Sequence, residues 1–114
     1  MFGSVTGGDW GMISMFLIAL AAPSAGAIDN ARSSFVSCLK QVASTAKPPA
    51  VTAETFATYA AQQCAAQQSA LKDAMIAFDV KNGASKKSAA EGADFAVEDY
   101  LETAKGNFEA RNSN

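Results

Sequence analysis

Apolar residues along the chain fall into one dense uncharged run and three longer stretches in which they recur every three or four positions. The run is Met12-Ile13-Ser14-Met15-Phe16-Leu17-Ile18-Ala19-Leu20-Ala21-Ala22, followed by Pro23-Ser24-Ala25-Gly26-Ala27. An apolar core of about 7–15 residues, a helix breaker and a small-x-small end form the pattern of a secretory signal peptide. Residues 1–27 are therefore expected to be removed by cleavage after Ala27. The run is shorter than the roughly 20 apolar residues a spanning helix needs. The segment ahead of it departs from the usual pattern, because Met1 to Gly11 contains no Lys or Arg and carries Asp9. Met12 and Met15 are alternative starts, and neither adds a basic side chain.

Beyond Ala27 the periodicity predicts three helices. The first is expected to start at Asp29 as N-cap, with Ala31, Phe35, Cys38, Leu39, Val42 and Ala46 on one face. Ser33, Ser37, Lys40, Gln41 and Ser44 fall on the other, and Lys47-Pro48-Pro49 ends the element, because proline disfavours helix in the residue before it and donates no backbone hydrogen bond. Thr52 is a good N-cap for the second, with Glu54 in the positive first turn. This helix is predicted to run unbroken for about thirty residues, with Ala53, Phe56, Ala57, Ala60, Cys64, Leu71, Ala74, Met75 and Phe78 on its core face. Gln67 and Gln68 interrupt that stripe, either at its edge or as a polar layer, and Asn82-Gly83 supplies a left-handed cap. Ser85 caps the third, whose stripe is Ala89, Ala93, Ala96, Val97, Tyr100, Leu101, Ala104 and Phe108. Gly92 and Gly106 weaken it by about 1 kcal/mol each relative to alanine. No alternating run of strand type occurs, so the class is all-α, a small antiparallel three-helix bundle. The expected domains are a signal peptide at 1–27, one helical domain at 28–110 and a disordered tail at 111–114.

Composition changes this picture in two ways. The chain of 114 residues is 49% hydrophobic, but in the part after Ala27 half of the hydrophobic residues are alanine, so close helix approach must replace bulky packing. A domain of this size is only marginally stable from burial alone. Two cysteines offer a staple: Cys38 and Cys64 lie roughly 12 and 18 Å from the predicted turn, at 1.5 Å per residue, on facing apolar stripes. Their pairing is expected as a structural disulfide, which persists in a periplasmic or extracellular setting. The spacing is far from the C-x-x-C of redox-active pairs.

Charge and residue types exclude several activities. A formal net charge of −2 removes the broad attraction that holds most proteins on nucleic acid. The absence of histidine takes away the commonest general base and metal ligand. There is no P-loop, dinucleotide fingerprint, G-x-S-x-G or haem-attachment motif, and no cofactor or metal is expected. What remains is local. Glu91, Asp94, Glu98, Glu102 and Glu109 share one face of the third helix, joined by Lys105. Phe95 projects to that acidic side and away from Tyr100 and Phe108, while Tyr59 and Ile76 lie off the second helix's stripe. Phe95 with Glu91, Asp94, Glu98 and Glu102 forms a candidate interaction surface for a protein partner or for self-association. The expected function is that of a small exported helical protein acting as a binding, accessory or structural component without catalysis. Two rivals differ in class: a membrane-anchored, self-assembling subunit that retains Met12–Ala22, and a small carboxylate-dependent enzyme of the cell envelope.

Overall fold

The computed structural model describes residues 24–113. They form an all-α bundle with no strand among the described residues: α1 (Ala25–Thr45), α2 (Ala53–Gln63), α3 (Ala65–Lys81) and α4 (Lys86–Asn112). The apolar run Met12–Ala22, and with it most of the expected signal peptide, lies outside the described residues. No described helix is long and apolar enough to cross a membrane.

α1 starts earlier than the sequence suggests. Its N-cap is Ser24, whose hydroxyl oxygen accepts from the Ala27 amide at 3.0 Å. Asp29, expected in that role, is instead one turn inside the helix and pairs with Arg32 at 2.6 Å. That hydrogen bond is the main cause of a guanidinium pKa raised above its ordinary value, with Tyr100 adding to it. Cleavage after Ala27 would take the Ser24 cap and the first helical residues, Ser24 to Ala27 all being exposed; among the described residues the first buried one is Phe35.

The expected thirty-residue second helix is two helices. Cys64 closes α2 and opens α3 with φ −110° and ψ 27°, outside the α-helical region, so the axis bends there. Backbone pairing continues on both sides, with the Cys64 amide donating to the Ala60 carbonyl and the Gln68 amide to the Cys64 carbonyl, each at 2.9 Å. The bend gives the two halves different tasks. α2 lays Phe56 on Phe108 of α4, with ring centroids 4.8 Å apart and planes at 23°. α3 packs against both α1 and α4.

Helix ends elsewhere follow the predicted chemistry. At Thr52 the backbone amide donates to the Thr55 hydroxyl at 2.9 Å. At the top of α3, Gly83 adopts φ +106°, which costs glycine little. The Gly83 amide reaches the Val80 carbonyl and the Ala84 amide the Asp79 carbonyl, at 3.1 and 2.9 Å, the two bonds of a Schellman ending. Ser85 accepts from the Ser88 amide at 3.1 Å to start α4. That helix passes through Gly92 and Gly106 and continues into the stretch expected as a disordered tail, where the Asn112 side-chain amide donates to the Phe108 carbonyl at 2.9 Å.

The core joins Phe35, Leu39, Val42, Ala43, Ala46 and Val51 to Phe56, Ala60, Cys64, Leu71, Val97, Ala104 and Phe108. Phe35 meets Tyr100 edge-on, with centroids 5.9 Å apart and planes at 76°. Tyr59, which the helical wheel places off the stripe, packs against this core together with Ile28, Ala31, Cys38, Met75 and Leu101. The core is therefore less thin than composition implies, because three phenylalanines are fully buried in it. Ala74, Met75 and Phe78, expected on the core stripe, are only half-buried, as is Ile76.

Cys38 and Cys64 are joined, with an S–S distance of 2.03 Å and Cα atoms 6.0 Å apart. The bond ties the middle of α1 to the bend between α2 and α3. On the chain-entropy model a loop of 26 residues gives about 3.5 kcal/mol of stabilisation.

Candidate interaction face

The outer side of α4 carries the residues singled out by sequence. Ala93 and Val97 face inward, buried at 0% and 5% exposure, and Phe95 between them faces solvent at 70%. A helical step of about 100° per residue forces this alternation, so burying Phe95 in the same bundle would expose the alanine and valine that let α4 approach its neighbours. Around the Phe95 ring lies a shallow hollow of about 170 Å³, lined by Glu91, Asp94, Phe95 and Glu98. Glu102 is exposed further along the helix and does not line it.

The carboxylates are not equivalent. Asp94 pairs across the helix boundary with Lys72 of α3, Nζ to Oδ1 at 2.6 Å, so its charge is already neutralised locally. Glu91 and Glu98 have no cationic partner among the described residues. The hollow therefore presents one aromatic ring flanked by two uncompensated negative charges. The hollow is shallow and open to solvent. Among the described residues no group of three or more Cys, Asp or Glu is placed to hold a metal ion.

A second feature was not visible in the periodicity. Between α1 and α4 lies a notch of about 220 Å³, floored by Val36, Leu39, Tyr100 and Ala104 and edged by Lys40, Thr103 and Asn107. The adjoining depression adds Arg111 to the Lys40 and Asn107 edge. The only hint in the sequence was Val36, an apolar residue next to the α1 stripe but not on it. A third hollow, between α1 and α3, is lined by small residues, among them Ala27, Ala31, Ala70 and Ala74, with Gln67 at its edge. Gln68 turns inward, and its side-chain oxygen is buried without a hydrogen-bond partner.

Comparison with protein-family models, with curated proteins and with solved structures gives no match for this chain.

Proposed function

We propose that the chain is a small exported, disulfide-stapled helical protein, periplasmic or extracellular, that acts by binding as an accessory or structural component. The observation that carries this reading is the closed Cys38–Cys64 pair, in a chain whose first 27 residues follow the order of a secretory signal. Disulfides of this structural kind persist in oxidising compartments and are rare where thiols are kept reduced. Binding is favoured over catalysis by the form of the acidic face. Its carboxylates lie along one convex helix around an exposed ring, a form suited to docking, whereas catalytic carboxylates work from a concave, partly desolvated site.

The test is the mature terminus and the intact mass of the protein recovered from its native compartment. The expected product begins at Ile28 and has lost two hydrogens relative to the fully reduced chain. Recovery with Met1 attached, or with two free thiols, contradicts the reading.

A further inference from the structure

The outer face of α4 and the notch between α1 and α4 have opposite character within one molecule. The first is a protruding phenyl ring, Phe95, between the unpaired carboxylates of Glu91 and Glu98. The second is an apolar recess floored by Val36, Leu39, Tyr100 and Ala104, edged by Lys40 and, in the depression beside it, by Arg111. Neither Lys40 nor Arg111 has an ion-pair partner among the described residues. An aromatic side chain gains most where it enters an apolar pocket that excludes water, and opposite charges around the edge fix the register of such a contact. Phe95 cannot reach the notch of its own chain, because it projects from the far side of the helix whose inner face closes the bundle.

We propose that this surface pairs with a second copy of the chain: Phe95 of one molecule seats in the notch of another, with Glu91 and Glu98 opposite Lys40 and Arg111. The occupant is named by complementarity, since the knob and the recess that match in shape class and in charge are both present on this chain. The contact joins unlike surfaces. It closes as a two-fold dimer when the two molecules exchange knobs, and it propagates when they do not. The proposal rests on the reading of the Phe95 face as a binding surface, and it specifies the partner.

Sedimentation equilibrium of the purified, oxidised protein, up to about 1 mM, measures the association directly. The wild type is expected to form species larger than the monomer. Phe95→Ala should weaken association roughly tenfold or more, with an unchanged melting curve at dilutions where both proteins are monomeric, because the side chain is exposed. Lys40→Glu should weaken it as well, and Lys40→Glu combined with Glu98→Lys should recover part of the loss. A wild type that stays monomeric across the range overturns the proposal, as does Phe95→Ala associating like wild type, or a charge-swapped double variant no better than Lys40→Glu. Each of these outcomes leaves the export reading standing, because that reading is decided by the mature terminus and the thiol state.

Discussion

The two ends of the bundle are built on different terms. At the end nearest the Pro48-Pro49 turn, Phe35, Leu39, Val42, Val51, Phe56 and Phe108 are buried together, and two aromatic pairs cross between helices. At the other end, where α3 turns into α4, the buried residues are Ala89 and Ala93, both outside the main cluster. Met75, Ile76 and Phe78 are half-buried there, and Val80 is 42% exposed. The first end is held by large apolar area removed from water. The second is held by close backbone approach, the Schellman ending and a surface ion pair, each of small worth. The Cys38–Cys64 bond ties α1 to the bend between α2 and α3 within the main cluster. The difference teaches where the fold stores its stability and where it has surface to spare: the Phe95 hollow lies alongside the alanine end, and the notch proposed to receive it lies towards the aromatic end.

Four changes would break or sharpen this contrast. The largest effect is expected from Phe108→Ala, which removes one ring of the stacked pair and leaves a cavity at 2% exposure; urea denaturation should show a loss of about 3–5 kcal/mol. Reducing the disulfide comes next. Denaturation with and without dithiothreitol should differ by about 3.5 kcal/mol, and a difference near zero would mean that the bend holds without its tether. At the alanine end the sign of the size effect reverses: Ala93→Leu should destabilise by about 1–3 kcal/mol, because the space there is set by backbone proximity and an added side chain has nowhere to go. Thermal unfolding that shows a gain would make that end underpacked. The smallest effect is expected at Gln68. Gln68→Met removes a buried acceptor that has no partner while keeping the shape of the chain, and should raise stability by about 1 kcal/mol.

Much of the aromatic end was legible in the sequence. Phe35, Leu39, Val42, Phe56, Val97 and Phe108 recur at helical spacing on long amphipathic stretches, and distance along the predicted helices was enough to pair Cys38 with Cys64. The outward position of Phe95 also follows from counting residues around α4. What escaped is physical in origin. The bend at Cys64 has no glycine or proline to announce it; it falls at the residue that the disulfide ties to α1. Ser24 is hidden as a cap because it stands inside a segment that reads as a cleavage region. Tyr59 reaches the core from the edge of its stripe because a long aromatic side chain extends sideways, which a wheel of Cβ directions does not represent. The notch between α1 and α4 depends on how two helices sit against each other, and no pattern within either one encodes it.

Native-state hydrogen exchange, resolved by residue, tests the contrast between the two ends most directly. Amides of Leu39 to Ala43, Ala60 and Ala104 to Phe108 should exchange only through global unfolding, while those from Ile76 to Ala90 should open through a local event at least tenfold more often. Uniform protection along α3 and α4, or slower exchange around Ala89 than around Phe108, would contradict the account.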